Sequence, residues 1–396
     1  MKFAKRMSRL GTESAFEILA RAQRLEREKG IEVVHLQIGE PDFDTPRNIR
    51  DAAIAAINDG FTHYTAPAGM PDVRAAISEY YAKLRGVTYD PDQIVVTPGS
   101  KEIMYSLIMM LVEDGDEVIY PDPGYPIYKS VIDYSGAKAV PIPLREENEF
   151  RLDISELEKL ITSKTRILII NSPQNPTGGV LTHDDVERIY RLACDHDFLI
   201  MTDEIYSRII YDVEYASISQ FDGKQERVIV MDGLSKVYAM CGWRLGWGLM
   251  PKALAQGVIR MQTNITSCAT SFVQKATIEA LSGDQTDPGK MVTEFRKRRD
   301  VFIEGLNQIE GFCCTKPHGA FYVWPNIKKT GWKSLELSEY LLNELGIAGL
   351  SGTAFGAEGE GYLRFSYANS IENIYKAINR LKEAMPALLK APVKSN

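Results

Sequence analysis

The feature that most constrains the fold is an alternation of short apolar segments with helical segments between residues 117 and 231. The predicted strands are 117–120, 139–142, 166–170, 198–201 and 228–231. The helical patterns between them are 125–134, 153–161 and 182–196. Short apolar strands joined by helices predict a mostly parallel sheet that is covered by helices on both faces. Ligands bind such sheets beyond the carboxyl ends of the strands.

The length of the chain, 396 residues, favours two domains. After residue 292 the pattern changes to a long helix, predicted at 293–309, and then to strands and helices of an α+β arrangement. We therefore predict a large domain at 48–292 and a smaller domain at 293–396. An N-terminal segment, 1–47, is expected to join the small domain.

The composition excludes several classes of function. With 46 basic and 53 acidic residues and a net charge of −7, the chain is a poor candidate for nucleic-acid binding. No apolar run reaches the 18 or so residues of a membrane span, so we expect no membrane association. The five cysteines form no C-x-x-C and the five histidines share no ligand spacing, which predicts a cytoplasmic protein without a metal site.

One lysine, Lys236, lies in a small-residue turn just after the predicted strand 228–231. At the end of a buried strand we expect apolar surroundings that lower the pKa of the ammonium group and make the amine a usable nucleophile. Arg244 follows eight residues later, and Cys241 between them is interpreted as core packing with no catalytic part. A single lysine after a strand is more often an ordinary surface residue, so the interpretation of Lys236 depends on its partners.

Polar residues follow two other strands of the predicted sheet. The loop 171–179 reads N-S-P-Q-N-P-T-G-G, in which Asn175-Pro176 is a candidate cis peptide bond. Asp203 and Tyr206 follow the strand 198–201 and can both face the crevice, although an isolated aspartate here is often a helix N-cap.

Two further turns are candidates for ligand contact. Gly39 ends a predicted strand at 31–38, where it permits a close approach of the backbone to a ligand or forms a plain turn before Pro41. At 97–101 a strand, a small-residue turn and a helix follow one another, an order that can direct backbone N–H groups at a phosphate.

Taken together, three motifs resemble those of the class I/II aminotransferases, the fold-type I enzymes that depend on pyridoxal 5'-phosphate (PLP). The motifs are N-S-P-Q-N-P-T-G-G at 171–179, D-E-I-Y at 203–206 and S-K-V-Y-A-M-C-G-W-R-L-G at 235–246. The resemblance is closest to the aspartate aminotransferase-like branch and extends from residue 39 to residue 367. It implies an α/β fold with a mostly parallel seven-stranded sheet in the large domain and a smaller α+β domain.

The resemblance also implies roles for the residues around the PLP ring. Lys236 would hold PLP as a Schiff base and, once the substrate amine displaces it, move the proton at the substrate α-carbon. Asp203 would pair with the pyridine nitrogen and keep it protonated. Tyr206 and Asn175 would hydrogen-bond the ring hydroxyl oxygen. Tyr125 would stack on the ring. The alternative role of this residue is packing at the start of a helix.

The phosphate group would be held by the same family pattern. The backbone of Gly99, Ser100 and Lys101 and the guanidinium group of Arg244 match the phosphate-binding positions. Tyr64 would reach the phosphate from a second subunit, which implies a homodimer with shared active sites.

The substrate would be held mainly by an arginine of the small domain. Arg364 matches the residue that binds the α-carboxylate, helped by Asn175 and the backbone of Gly39. One departure from the family is Gly233, because many members have a phosphate-binding serine at that position. Whether Ser235 compensates is left open.

The implied reaction is a reversible transfer of an amino group between an amino acid and a 2-oxo acid through a pyridoxamine form. We expect 2-oxoglutarate and glutamate as one of the two pairs. A carbon–sulfur β-lyase on the same scaffold is the alternative. A ligand sensor is disfavoured, because no basic helix-turn-helix precedes Gly39. The donor stays open, since no second cation for a distal carboxylate is assigned and Phe16 could close over an apolar side chain.

Overall fold

The computed structural model describes residues 2–390, in which helices and strands alternate along most of the chain. The helices are α1 Ser14–Lys29, α2 Arg47–Asn58, α3 Pro71–Arg85, α4 Lys101–Leu111, α5 Pro126–Ser135, α6 Ile154–Leu160, α7 His183–His196, α8 Lys252–Ile265, α9 Ser271–Ser282, α10 Thr286–Asn307, α11 Ser334–Leu345 and α12 Ile371–Leu388. The strands are β1 Val34–His35, β2 Ile94–Thr97, β3 Glu117–Asp122, β4 Lys138–Pro143, β5 Thr165–Asn171, β6 Leu199–Asp203, β7 Val228–Gly233, β8 Gly246–Leu249, β9 Tyr322–Val323, β10 Ile347–Ala348, β11 Leu350–Ser351 and β12 Leu363–Ser366.

The central sheet has seven strands in the order β2-β8-β7-β6-β5-β3-β4. Strand β8 is antiparallel to both of its neighbours, and the remaining pairs are parallel. The prediction of a mostly parallel seven-stranded sheet is therefore confirmed. The sequence interpretation missed β8, because its Gly-Trp-Gly-Leu run is short and carries two glycines.

Side chains of the central strands alternate between two buried clusters. In β5, Leu168 and Ile170 belong to one cluster, and Ile167 and Ile169 belong to the other. Since successive side chains of a strand point to opposite faces, both faces of the sheet are covered by packed helices. The continuous apolar run of β5 is the consequence of this double burial.

A third cluster lies around α10, α12 and the short strands of the C-terminal part, with Phe295, Phe302 and Phe365 at its centre. Strands β11, β12 and β9 form a three-stranded sheet there. Strand β1 of the N-terminal segment pairs in parallel with β10 and so ties that segment to the C-terminal part.

Two of the predicted elements differ from their predicted bounds by more than two residues. The strand expected at 31–38 has only two paired residues, because β10 is equally short and offers no longer partner. Helix α10 begins at Thr286 instead of 293, since Pro288 is accommodated in the first turn, where no N–H is needed. The domain boundaries at 47 and 292 stay predictions, and residues 391–396 of the predicted small domain lie outside the described residues. None of the helices between residues 2 and 390 is both long and apolar enough to cross a bilayer.

Candidate active site

A cavity of about 500 Å³ lies beyond the carboxyl ends of β5, β6 and β7, as the sheet topology predicts. Every site residue predicted from the sequence lines it except Tyr64. These lining residues are Gly39, Gly99, Ser100, Lys101, Tyr125, Asn175, Asp203, Tyr206, Ser235, Lys236, Arg244 and Arg364.

Lys236 extends from the turn after β7 into the cavity. Its Nζ donates a hydrogen bond to the carbonyl oxygen of Gly39 at 2.5 Å and lies 3.8 Å from Sγ of Cys241. Cys241 lines the cavity as well, so its interpretation as core packing was wrong. The expectation of a lowered pKa was also wrong: burial lowers the pKa of Lys236, but Cys241, Tyr322 and Glu40 are among the groups that raise it, and it ends above its usual value. The sequence could not reveal these neighbours.

Asp203 is the last residue of β6, and its carboxylate is held by two donors. The hydroxyl of Tyr128 donates to Oδ2 at 2.7 Å, and the N–H of Ile205 donates to Oδ1 at 3.3 Å. Burial raises the pKa of Asp203, while these two hydrogen bonds lower it. The carboxylate is therefore positioned, and although the charge of Lys236 also lowers its pKa, no ion pair to Asp203 is present among residues 2–390.

Tyr206 lies one turn beyond Asp203 and pairs with a residue of β9. The hydroxyl groups of Tyr206 and Tyr322 are 2.8 Å apart. Gly39 lies against the same hydroxyl of Tyr322, and a Cβ at position 39 would overlap with it and lie 3.1 Å from Cζ. The close contact of Gly39 is therefore with a side chain of the same chain, and its approach to a ligand stays a prediction.

Asn175 and Arg364 meet across the cavity. The loop around Asn175 is held by Asn171, whose Oδ1 accepts the N–H of Asn175 at 2.8 Å. The predicted cis bond Asn175-Pro176 is confirmed. Arg364 is only 4% exposed, and its Nη1 donates to Oδ1 of Asn175 at 3.2 Å. Its Nη2 donates to the carbonyl of Gln37, and Nε has no partner among the described residues.

The start of α4 and Arg244 form the basic end of the cavity. The first N–H groups of an α-helix have no partner within the helix, so the turn before Lys101 presents donors to an anion. Gly99 has a φ of 86°, and a Cβ there would lie 2.6 Å from Nη2 of Arg244. Only glycine therefore fits between the turn and the guanidinium group.

The structure gives a reason for the glycine that replaces the family serine at position 233. Gly233 is paired with Gly246 of β8, and a Cβ at 233 would lie 2.9 Å from Cα of Gly246 and 3.0 Å from the carbonyl oxygen of Leu245. A serine side chain does not fit there. Ser235 lines the cavity, but no hydrogen bond of its hydroxyl is present among the described residues.

Two tyrosines of the predicted site differ in their location, one inside the cavity and one outside it. Tyr125 occupies the N-cap position of α5, lines the cavity and donates through its hydroxyl to Oε2 of Glu13 at 2.9 Å. Its stacking role stays a prediction. Tyr64 is 89% exposed and lies outside the cavity of its own chain.

Sequence reasoning missed several residues that line or support the site. Asn171 and Tyr322 could have been found, since Asn171 directly follows the predicted strand 166–170 and Tyr322 lies in the apolar segment 320–324, which also predicts a strand. Tyr128 and Glu13 gave no signal, because the first is one of several tyrosines in a helix and the second is an acidic residue before one. Within residues 2–390 no three histidine, cysteine or acidic side chains form a group that could hold a metal ion.

The sequence model of the family described as "Aminotransferase class I and II" matches residues 31–381. The aromatic-amino-acid aminotransferase 2 of Thermococcus litoralis is 41% identical, over 90% of this chain and 93% of the relative. The aspartate aminotransferase of Pyrococcus abyssi is also 41% identical, over 89% and 92%. The solved structure of aspartate aminotransferase from Thermus thermophilus with maleate superposes with a TM-score of 0.93 at 33% identity, covering 97% of this chain and 99% of that one.

Proposed function

Since the chain belongs to the class I and II aminotransferases, we propose that it transfers an amino group between an amino acid and a 2-oxo acid with Lys236 as the catalytic residue. Glutamate and 2-oxoglutarate form one of the two pairs. The observation that carries the proposal is that one cavity holds the amine of Lys236, the carboxylate of Asp203 and the guanidinium group of Arg364.

The enzyme is PLP-dependent, as aminotransferases of the aspartate aminotransferase type are. The residues of the cavity fit this cofactor. Lys236 provides a primary amine, Asp203 an incompletely paired carboxylate for a pyridine nitrogen, and Arg244 with the start of α4 an anion site. When bound, PLP supplies an electron-accepting ring that stabilises the negative charge that develops at the substrate α-carbon.

The residues of the chain then divide the remaining work. Lys236 would hold the cofactor through its amine and, once free, carry the proton at the substrate α-carbon. Gly39 is the hydrogen-bond acceptor that orients the free amine. Asp203, kept in place by Tyr128, would stabilise a protonated ring nitrogen.

The substrate and the ring oxygen have donors of their own. Arg364 would bind the α-carboxylate through its planar fork, whose Nε has no partner in the part of the chain that the structure describes. Asn175 and Tyr206 would donate to the ring hydroxyl oxygen. Burial raises the pKa of Tyr206 well above its usual value, so this hydroxyl keeps its proton at neutral pH.

The assembly proposed for this enzyme is a homodimer. Tyr64 is exposed and outside its own cavity, which agrees with a role at the phosphate of a second subunit. The cytoplasmic setting stays a prediction from the cysteine pattern.

The test is a titration of the PLP-loaded protein with single amino acids in the absence of an oxo acid. A stoichiometric conversion, with one oxo acid released per site and a complete change of the cofactor absorbance, is expected for transfer. Continuous release of pyruvate and ammonia would favour the β-lyase and overturn the proposal.

Lys236→Ala tests the residue assignment. The variant should lose both turnover and the mass increment that borohydride fixes on the peptide containing residue 236. Lys252→Ala is the matched control, because this exposed lysine pairs with Asp90 at 2.7 Å on the surface. A Lys236→Ala protein that still turns over and still fixes the cofactor contradicts the assignment.

A further inference from the structure

Charged side chains of both signs line the cavity, and the proposed reaction does not use all of them. The cations are Lys101, Lys236, Arg244 and Arg364, and the anions are Glu13, Glu40 and Asp203. Phosphate, ring nitrogen and α-carboxylate account for Arg244, Asp203 and Arg364. With Lys236 as the catalytic amine, the side chains of Lys101, Glu13 and Glu40 are left, and those of Lys101 and Glu13 are bound to each other.

Glu13 places a carboxylate in the cavity from the residue just before α1. Its Oε2 accepts two hydrogen bonds, from Nζ of Lys101 at 3.3 Å and from the hydroxyl of Tyr125 at 2.9 Å. Nζ of Lys101 also lies 5.4 Å from the centre of the Tyr125 ring. These contacts fix the position of the carboxylate and occupy the ammonium group that would otherwise be free for a ligand.

The field of this carboxylate reaches the substrate-binding groups. Its charge is among the influences that raise the pKa of Arg364 and of Lys236, although burial has the larger effect on both. Glu13 and Arg364 line the same cavity, so a substrate held by Arg364 lies in the field of a negative charge that is already present. A second carboxylate on the substrate would be repelled.

The wall beside Glu13 is apolar. Phe16 follows three residues later on α1, lines the cavity and is 62% exposed. Ile38, Ala15 and Met104 also line the cavity. An exposed aromatic ring in a cavity wall is apolar surface that a neutral substrate side chain can cover with a gain in free energy.

We infer that Glu13 is a specificity-determining residue that favours amino acids with neutral, apolar or aromatic side chains over dicarboxylic ones. This inference rests on the proposed function. A neutral side chain leaves the contact between Glu13 and Lys101 intact, whereas a dicarboxylate has to replace Glu13 at Lys101. The ion pair between Lys101 and Glu13 is partly exposed and therefore weak, so a substrate carboxylate can displace Glu13 from Lys101. Glutamate therefore stays a substrate, but with a lower kcat/KM than a neutral donor.

Glu13→Gln tests this inference, because glutamine keeps the shape and still accepts from Tyr125 but removes the charge. The ratio of kcat/KM for aspartate to kcat/KM for phenylalanine should rise about tenfold, through KM of aspartate and not through kcat. The value of kcat/KM for alanine as the donor should be unaffected, because its side chain is too short to reach residue 13. Calorimetric titration with maleate and with 3-phenylpropionate should give the same change in binding without turnover.

Glu17→Gln, four residues further along and inside α1, is the matched control. The carboxylate of Glu17 accepts from the Thr12 hydroxyl at 3.0 Å and does not line the cavity, so its substrate ratio should stay that of the wild type. Lys101→Gln is the reciprocal variant. It leaves Glu13 without its cation and should lower the ratio of aspartate to phenylalanine.

The outcomes separate this inference from the proposed function. A Glu13→Gln enzyme that turns over both donors with the wild-type ratio and unchanged maleate affinity overturns the inference and leaves the aminotransferase intact. A wild-type enzyme that transfers from no donor overturns the proposed function instead. Glu13→Gln could instead lose turnover with ornithine and gain none with aspartate. This result would mean that Glu13 binds a cationic side chain, and it would overturn the inferred preference for neutral side chains.

Discussion

Asp232 is a buried carboxyl group one residue before the turn that leads to Lys236, and its titration can be measured through stability. It accepts the hydroxyl of Tyr81 at 2.8 Å and the N–H of Gly233 at 2.7 Å. Burial raises its pKa to about 7, the negative charge of Glu204 adds to the rise, and the two hydrogen bonds and Arg85 oppose it.

The direction of the pH dependence follows from the pKa of Asp232 in the folded state and in the unfolded state. An unfolded aspartate has a pKa of about 3.9, so the folded state holds its proton more tightly. The stabilisation is complete below about pH 4 and is lost as the pH rises through the folded value of about 7. A difference of about three units corresponds to roughly 4 kcal/mol in total, or about 1.4 kcal/mol for each pH unit between these limits.

Asp232→Asn removes the titration and keeps a neutral group of the same shape. The free energy of unfolding of the variant relative to the wild type should increase by about 1.4 kcal/mol per pH unit between about pH 5 and 6.5 and level off above about pH 7.5. Denaturant unfolding at several pH values measures this difference, in which the titrations common to both proteins cancel.

Asp59→Asn is the control, since Asp59 is exposed at the end of α2. Its stability difference from the wild type gives the baseline for the loss of one surface carboxylate. If Asp232→Asn differs from the wild type by a constant amount at every pH, Asp232 does not hold a proton in the folded state and the reasoning fails.

Two further predictions concern residues that support the site. Tyr128→Phe removes the 2.7 Å hydrogen bond to Asp203, and the affinity of the apoprotein for PLP should fall roughly tenfold in a fluorescence titration. An unchanged dissociation constant would show that Tyr128 does not position the carboxylate. Gly39→Ala should lower kcat/KM, because the new methyl group overlaps with the hydroxyl of Tyr322. Adding Tyr322→Phe should restore part of the loss, and a double variant no better than Gly39→Ala would contradict this explanation.

The sheet could be predicted because its strands are buried on both faces and therefore read as continuous apolar runs. Strands β5 and β7 are examples, and their ends locate Asn171 and the turn that carries Lys236. Strand β8 could not be predicted in this way. Its two glycines are required by close contacts, such as that of Gly246 with the backbone at Ser100, and not by strand propensity.

Most of the predicted site residues share one cavity because motifs at the ends of central strands meet at one edge of the sheet, whereas Gly39 and Arg364 reach it from outside that sheet. Contacts between segments that are distant in the sequence could not be predicted. Glu13 reaches Tyr125 across 112 positions, and Tyr206 reaches Tyr322 across 116. No local pattern encodes such pairs. The raised pKa of Lys236 was missed for the same reason, since groups from several segments contribute to it.

Arg364 is already immobilised and stripped of water before any substrate arrives. Asn175 and the carbonyl of Gln37 hold two of its nitrogens, and the side chain is almost entirely buried. The loss of rotamer freedom and of hydration of this guanidinium group is thus a cost of folding and not of binding. An incoming carboxylate has to give up only its own water, so recognition of the α-carboxylate is preorganised by the fold.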